Sequence, residues 1–396
     1  MRAALSGYQA DGVWLAAVGK AASGMALGAL DVLGNSVARG LVISRPDHLS
    51  EELNRYPQIE QIAGGHPLPD ASSLAAGARM IEFARAAPQG CPVLVLVSGG
   101  ASALVEALPP GLELKDLVRI TDWGLANGLD ISELNAIRRR ISCLKDGRFA
   151  ALLVHTRARA LVLSDVPDDS PATVGSGLVA QSAPGGPAPA LPGWLLELLP
   201  RALPAQATLP ATVIGSLGDA LAAAARAAEG KGLSVARLPG RAEGDVMRAA
   251  HQFAHALALA DHDVLLWGGE TTVTLPEHPG RGGRNQQFAL AVASRIAGHP
   301  LYAVLAAGTD GTDGNTLDAG AIVDGETVSR ARDEAVDVDQ ALAGCDAGTA
   351  LEASGDLLNT GPTGTNVGDL VIGLRLAPAE AASVTPSADP GSGRVL

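Results

Sequence analysis

Short apolar segments that each run into a polar or glycine-rich turn constrain the fold of this chain most. Three of them, predicted as strands, are Val13–Val18, Pro92–Val97 and 160–163, and alanine-rich amphipathic stretches separate them. This alternation is typical of βα units around a mostly parallel sheet, so the predicted fold class is α/β. Ligands of such sheets bind outside the carboxyl ends of the strands. The turns at these ends therefore predict one shared site: Gly19-Lys20, Ser98-Gly99-Gly100 and Ser164-Asp165.

The length of 396 residues predicts two domains, because a single core rarely grows beyond about 300 residues. We place the first domain at 1–245. From residue 261 short strands are separated by turns dense in glycine, threonine and aspartate, which indicates a second, smaller α+β domain at 261–375. Residues 376–396 have the composition of a disordered tail. Further strands are predicted at 40–44 and 211–214, and helices at 23–33, 72–86, 115–127, 133–141, 219–229 and 243–259.

Charge and cysteine usage exclude several classes of partner. A net charge of −13 and 3% aromatic residues argue against a nucleic-acid partner, which requires a basic face. Cys91, Cys143 and Cys345 lack the spacing of a disulfide framework or a zinc site. The amino terminus lacks the features of a signal peptide, and no apolar stretch approaches about 20 residues. We therefore expect a cytoplasmic protein with no membrane partner.

Lys20 follows the first predicted strand in the segment VGKAASGMA. A dinucleotide-binding turn would need a glycine in its place, and a phosphate-binding P-loop would need Gly24 to be followed by lysine. What remains is a lysine beside a helix N-terminus, where free N–H groups favour a phosphate. A solvated turn lysine is the alternative. Only four of the 29 basic residues are lysines, which favours a need for a compact ammonium at the retained positions.

Ser98, Gly99 and Gly100 follow the most apolar strand, and their small size would let successive N–H groups converge on an anion. A plain turn and a serine nucleophile are the alternatives, although the GxSxG motif of many serine hydrolases is absent. Arg138 and Lys145 stand seven residues apart and would share one helical face if the helix continued that far. Such a pair suits a carboxylate or a phosphate. A solvated basic face is the alternative.

Glycine-dense loops with polar groups recur in the second predicted domain. One contains Gly268, Gly269 and Glu270, and another contains Arg284 and leads into an apolar helix. Asp310 and Asp313 lie within four residues, a spacing that could hold Mg²⁺. The loop at 359–369 carries hydroxyl and amide groups that suit an anion.

Nine segments together resemble the class II glycerate kinases. The resemblance extends from residue 14 to residue 374 and implies a Rossmann-like first domain and a MOFRL second domain. The family's essential lysine falls on Lys20, and the arginine of its GGRNQ motif falls on Arg284. The segments are VGKAASGMA, GGHPLPDASS, LVSGGASAL, ELNAIRRRISCLKDGR, LSDVPDD, LWGGETTV, GGRNQQFALA, AAGTDGTDGNTLDAGA and NTGPTGTNVGDLVIGL.

The resemblance implies that ATP and Mg²⁺ are used to phosphorylate D-glycerate at its 2-hydroxyl, giving 2-phosphoglycerate and ADP in a cleft between the domains. Lys20 and Arg284 would be catalytic. The implied nucleotide and phosphate ligands are Ser98, Gly99, Gly100, Gly268, Gly269, Glu270, Thr363 and Asn366, the substrate ligands Asn135, Arg138 and Lys145, and the candidate metal ligands Asp165, Asp310 and Asp313.

Two other functions remain open at this point. Some members of the family carry the label hydroxypyruvate reductase, so an enzyme that uses NAD(P)H is one alternative. A non-catalytic protein that binds a nucleotide or a sugar acid is the other. The expected partners are small molecules, and a homodimer is possible.

Overall fold

The computed structural model describes residues 1–129, 131–182 and 191–376. The described chain forms two compact units, one of residues 1–220 and 362–368, the other of 221–361 and the described part of 369–396. Apart from Leu376, the tail predicted at 376–396 lies outside the described residues. Within the described ranges, no helix is long and apolar enough to cross a membrane.

The first unit contains a parallel sheet, in which the described residues contribute six strands in the order β3-β2-β1-β4-β5-β6. β1 and β4 begin and end where the sequence predicts, whereas β2 and β5 begin earlier and β3 was not predicted. The strands are β1 Val13–Val18, β2 Val37–Ser44, β3 Ile59–Ala63, β4 Pro92–Val97, β5 Arg157–Leu163 and β6 Ala211–Gly215. The helices of this unit are α1 Ala22–Leu33, α2 Ala71–Ala86, α3 Ala101–Leu104, α4 Leu114–Ala126, α5 Ile131–Arg139, α6 Arg148–Leu152 and α7 Gly193–Leu198.

Both faces of this sheet are covered, because successive strand residues enter different cores. Leu15 and Ala17 of β1 pack with α1, whereas Ala16 and Val18 pack in the core that contains Phe83 of α2. The Asp70 carboxylate fixes the start of α2 by accepting hydrogen bonds from the N–H groups of the next turn. These observations confirm the predicted α/β fold class.

The second unit contains a mixed sheet with the strand order β12-β11-β10-β13-β9-β7, and β8 also pairs with β9. β7 and β8 run parallel to β9, and the other described pairs are antiparallel. α8, Leu217–Glu229, begins in the last residues of the first unit and continues into the second. The other elements are β7 Val235–Arg237, β8 Ala242–Asp245, α9 Val246–Leu259, β9 Val264–Thr272, α10 Arg284–Ile296, β10 Tyr302–Gly308, β11 Gly320–Asp324, α11 Thr327–Asp333, α12 Val338–Ala343, α13 Ala347–Ser354, β12 Leu357–Leu358 and β13 Asp369–Arg375.

The second unit begins earlier along the chain than the domain predicted from residue 261. Residues 221–245, which the sequence places in the first domain, belong to this unit because Ala225 packs against β9 and β7 pairs with it. The helix predicted at 243–259 begins at Val246, since Ala242–Asp245 pairs with β9 as a strand. Residues 362–368, although they follow β12, belong to the first unit.

Candidate functional site

The turn after β1 holds both backbone polar groups of Lys20. The N–H of Lys20 donates to the Gly99 carbonyl at 2.9 Å, and the carbonyl oxygen of Lys20 lies 3.0 Å from Nδ1 of His48. Gly19 precedes it with φ +125°, and a Cβ at Gly19 would overlap the Ser98 hydroxyl. Lys20 is half-buried, which excludes a fully solvated turn lysine. The backbone contacts fix the point from which its side chain starts.

Ser98 is fully buried and joins two turns. Its Oγ accepts a hydrogen bond from the N–H of Ala21 at 3.0 Å, at the start of α1. The next two residues complete the turn, and Gly100 adopts φ +81° as the residue before α3. The structure therefore brings the turns after β1 and β4 together, as the sequence predicted.

Asp165 and Asn366 extend this cluster, although they are far apart in sequence. Asn366 Nδ2 donates to Asp165 Oδ2 at 3.0 Å. A Cβ at Gly99 would overlap both side chains, so the glycine lets them approach the backbone of the turn. Thr363, from the same segment as Asn366, is exposed. We call Lys20, Ser98, Gly99, Gly100, Asp165 and Asn366 the strand-end cluster.

His66 adjoins the strand-end cluster, although the sequence motifs predict no role for it. A Cβ at Gly100 would lie 3.1 Å from Lys20 Cγ on one side and 3.3 Å from Nε2 and Cδ2 of His66 on another. The available signal was the polar turn GGHPLPD in a segment already noted for its resemblance. It was missed because β3, which precedes this turn, was not predicted as a strand.

Arg138 and Lys145 do not share a helical face, because α5 ends at Arg139. Neither belongs to a solvated basic face either, since Arg138 is 6% exposed and Lys145 is fully buried. Lys145 Nζ forms a buried ion pair with Glu106, whose carboxylate also accepts from Ser142 Oγ at 2.6 Å. Burial lowers the pKa of Lys145, and the charge of Glu106 opposes that shift.

The guanidinium of Arg138 is buried with spare donors. Its Nη1 donates to Asn135 Oδ1 over a long 3.4 Å. Within the described residues, its Nε and Nη2 have no hydrogen-bond partner. Burial lowers the pKa of Arg138, although the charge of Glu106 partly offsets the effect. A buried cation whose N–H donors lack acceptors raises the free energy of the folded state, so the Nε and Nη2 side of the guanidinium suits an anionic ligand.

In the second unit, Arg284 is the first residue of α10 and is held by two carboxylates. It binds Asp369 through Nε at 2.5 Å and Nη2 at 3.0 Å, and its Nη1 lies 2.9 Å from Glu270 Oε1. Burial alone would lower the pKa of Arg284, but Asp369 and then Glu270 raise it well above its usual range. The guanidinium remains charged and fixed in direction.

Gly268, Gly269 and Glu270 do not form the expected loop, because all three lie within β9. Gly269 has a packing reason to lack a side chain. A Cβ there would overlap the carbonyl of Ala242, which pairs with it from β8. Strand pairing on both sides of β9 therefore overrides the turn tendency of the two glycines.

Asp310 and Asp313 are both buried, but they make different contacts. Asp313 caps α10: Oδ1 accepts from the backbone N–H and Nδ2 of Asn285 at 3.1 and 3.2 Å, and Oδ2 accepts from the N–H of Gln286 at 2.8 Å. Burial raises the pKa of Asp313 to about 6, against the lowering effect of these hydrogen bonds. Asp310 Oδ1 accepts from the N–H of Thr312 at 3.1 Å.

The carboxylates of Asp165, Asp310 and Asp313 suit Mg²⁺ only if the protein supplies few of its ligands. Among the described residues, no group of three or more histidine, cysteine, aspartate or glutamate side chains is arranged to hold a metal ion. Mg²⁺ needs only one or two protein carboxylates when it arrives with phosphates and water. The two oxygens of Asp313 already accept three hydrogen bonds, so a metal ion would have to compete with these contacts.

Comparison with known proteins gives a consistent result. Residues 2–186 match a family described as a domain of unknown function, DUF4147, and residues 263–369 match the MOFRL family. A D-glycerate 2-kinase from Thermotoga maritima is 33% identical over 385 residues, which cover 92% of this chain and 91% of that protein. A protein from Agrobacterium vitis, provisionally named a hydroxypyruvate reductase, is 34% identical over 375 residues, 89% of this chain and 96% of that one.

A solved structure is also similar over nearly the whole chain. The crystal structure of glycerate kinase from Thermotoga maritima matches with a TM-score of 0.81 and 32% identity. The match covers 95% of this chain and 94% of that chain.

Proposed function

The chain belongs to the glycerate kinase family, and we propose that it transfers the γ-phosphoryl group of ATP to the 2-hydroxyl of D-glycerate, giving 2-phosphoglycerate and ADP. The family assignment confirms the resemblance in the sequence. The name of the Thermotoga relative, D-glycerate 2-kinase, supports the choice of the 2-hydroxyl.

The observation that carries the proposal is the strand-end cluster at the carboxyl ends of β1, β4 and β5. Lys20 is anchored through its backbone to Gly99, and Asp165 meets the same glycine. Phosphoryl transfer depends mainly on positioning and on neutralising negative charge, and this cluster offers backbone N–H groups and an ammonium for both tasks. The turn after β4 would cradle phosphates, and Lys20 would stabilise charge on the moving phosphoryl group.

A metal ion is expected to arrive with ATP. Asp165, Asp310 and Asp313 are the residues we propose as candidate ligands of Mg²⁺, which would supply positive charge to neutralise the phosphates. Arg284, held in direction by Asp369 and Glu270, would supply a second fixed positive charge. The nucleotide contacts of Gly268, Gly269, Glu270, Thr363 and Asn366, like the location of the site between domains, stay predictions.

Arg138 supports an acidic substrate. Its buried Nε and Nη2 need acceptors, and a carboxylate matches the fork of a guanidinium with two parallel hydrogen bonds. Lys145 is less suited to this task because its ammonium already pairs with Glu106. We therefore assign the glycerate carboxylate to Arg138, with Asn135 beside it.

The glycine turns do not favour a reductase. The dinucleotide fingerprint needs a second glycine where Lys20 stands, because only glycine lets the backbone approach a pyrophosphate. The second alternative, a protein that binds without catalysis, predicts ATP binding with no turnover.

One set of assays separates the three functions. Incubation with ATP, Mg²⁺ and D-glycerate should release ADP, and phosphorus NMR should identify 2-phosphoglycerate rather than the 3-isomer. NADH oxidation with hydroxypyruvate tests the reductase, and calorimetry with ATP tests the binding protein. ADP release no greater than in the absence of glycerate would overturn the proposed function. Gel filtration and cell fractionation would test the expected homodimer and cytoplasmic location.

A further inference from the structure

His66 follows two glycines that pack closely against residues of neighbouring helices. Gly64 follows β3, and a Cβ there would overlap the carbonyl of Leu104 at the end of α3. At Gly65 a Cβ would lie 2.5 Å from the carboxylate of Asp70, the residue that caps α2. The N–H of Gly65 also donates to Ser73 Oγ at 3.1 Å. The backbone that carries His66 is therefore fixed by packing and by hydrogen bonds.

The imidazole of His66 faces the turn that is proposed to cradle phosphate. Its Nε2 and Cδ2 atoms are the ones 3.3 Å from the Cβ position of Gly100, and Lys20 Cγ lies 3.1 Å from the same point. The edge of the ring that carries Nε2 thus borders the turn at which Lys20 arrives from another strand. Phosphate binding and charge neutralisation, as assigned above, make no use of this nitrogen.

We propose that His66 accepts the proton of the acceptor hydroxyl during phosphoryl transfer. This inference rests on the proposed function. In the step, the hydroxyl oxygen of the acid forms a bond to the γ-phosphorus while the bond from that phosphorus to the bridging oxygen of ADP breaks. The hydroxyl proton passes to Nε2 of His66, and ADP leaves with the electron pair of the broken bond.

The side chains of the strand-end cluster explain why a histidine is suited to this task. Lys20 is a cation and supplies no acceptor at neutral pH, and Asp165 already accepts a hydrogen bond from Asn366. A neutral imidazole can take up a proton near physiological pH. Charged groups close to this turn include Lys20 beside Gly100, Asp165 beside Gly99 and Asp70 beside Gly65.

The test compares His66→Gln with His262→Gln, which alters an exposed histidine just before β9. Loss of a general base should lower kcat of His66→Gln by about 10²-fold, with KM for ATP and for D-glycerate changed far less. His262→Gln should behave as the wild type. The wild-type profile of kcat against pH should fall on the acid side, where the imidazole is protonated, and His66→Gln should lack this fall.

A readout that a structural role would not move completes the design. Added imidazole should partly restore kcat of His66→Ala, because a free base can occupy the vacated space, whereas a folding defect would not respond. Circular dichroism and thermal unfolding verify that each variant is folded. The inference is overturned if kcat of His66→Gln stays within about threefold of the wild-type value, or if kcat of this variant still falls at acid pH. It is also overturned if wild-type kcat falls as pH rises, which would indicate an imidazolium that donates to phosphate. A wild type that releases no ADP with any hydroxy acid would refute the proposed function, and the role of His66 with it.

Discussion

Both carboxylate oxygens of Asp369 accept hydrogen bonds from the guanidinium of Arg284. The bonds measure 2.5 Å from Nε to Oδ2 and 3.0 Å from Nη2 to Oδ1, and the carboxylate is only 7% exposed. Asp369 opens β13 and Arg284 opens α10, so the pair joins a strand to a helix terminus. A bidentate contact of this kind fixes the plane of the guanidinium as well as its position.

Asp369→Asn should impair catalysis more than stability. An amide offers one acceptor oxygen in place of two, so Arg284 would keep its charge and its contact with Glu270 but lose its fixed plane. Misplaced charge at a reacting phosphoryl group costs rate, and we expect kcat to fall by about tenfold or more. Steady-state kinetics with ATP and D-glycerate measure the effect.

The matched control for this change is Asp356→Asn. Asp356 pairs with Arg330 at 2.6 Å in the same unit, and neither residue belongs to the proposed site. This variant should lower the melting temperature while kcat stays close to that of the wild type. Equal kcat values for the two variants would show that Asp369 does not position a catalytic group.

The strands of the first sheet were predictable where an apolar segment stops at a turn. β1 ends at Val18 and β4 ends at Val97, and both strands were predicted to the residue. β3 was missed because Ile59–Ala63 mixes polar and apolar residues, all of them half-buried at the edge of the sheet. Because the strand before it was not predicted, His66 was not recognised as a residue at a strand end.

The contacts that complete the site depend on tertiary structure. Asn366 stands 201 residues from Asp165 and belongs to a segment that the sequence places in the other domain. Lys145 resembled an anion ligand beside a glycine, and nothing in the local sequence indicates its burial against Glu106, 39 residues away. Local patterns therefore found the candidate residues, but not which of them already have a partner.

Lys20→Met tests the ammonium of the strand-end cluster. If that charge stabilises the transferring phosphoryl group, kcat should fall by roughly 10²-fold or more, about 3 kcal/mol of transition-state stabilisation. Lys20→Arg should also be impaired, because a planar guanidinium cannot replace a compact ammonium beside Gly100. Kinetics of both variants, together with thermal unfolding, measure these effects.

Lys231→Arg provides the control, because Lys231 is exposed in a turn after α8. Lys231→Arg should leave kcat unchanged and should change the free energy of unfolding by no more than about 0.5 kcal/mol. Near wild-type kcat in Lys20→Met would show that the turn after β1 does not serve the reaction.

Arg138→Met should separate binding of the acid from folding. Loss of the guanidinium fork should raise KM for D-glycerate at least tenfold, with KM for ATP nearly unchanged. Because the buried Nε and Nη2 are unsatisfied, the substitution should leave the melting temperature equal or higher. Arg140→Met, at an exposed position just after α5, should change neither quantity. A lower melting temperature with unchanged KM for the acid would assign Arg138 a structural role.

The buried pair of Glu106 and Lys145 should be strongly coupled. Glu106→Gln leaves a buried ammonium without its counter-charge, which costs about 3–5 kcal/mol. The double variant with Lys145→Met removes both charges and should be less destabilised than the sum of the two single variants. Urea unfolding of the four proteins gives the coupling energy.

An exposed pair serves as the control for that experiment. Lys115 Nζ and Glu113 Oε2 lie 2.7 Å apart with side chains 75% and 68% exposed, so Lys115→Met should destabilise the protein far less than Glu106→Gln. Additive effects of Glu106→Gln and Lys145→Met would contradict the coupling.

Asp313 should make the stability of the protein depend on pH. Burial raises its pKa in the folded protein to about 6, from 3.8 when unperturbed, so the folded state binds this proton more tightly than the unfolded state. The stabilising contribution of the protonated form is therefore complete below about pH 4 and lost as pH rises towards 6.

Asp313→Asn cannot titrate, and urea unfolding across this range should show wild-type stability declining relative to the variant. Asp337→Asn, which alters an exposed carboxylate that caps α12, controls for the loss of a capping carboxylate at a solvated position. If the wild type instead gains stability over the variant as pH rises, the three hydrogen bonds from Asn285 and Gln286 outweigh burial, and Asp313 caps α10 as a charged group.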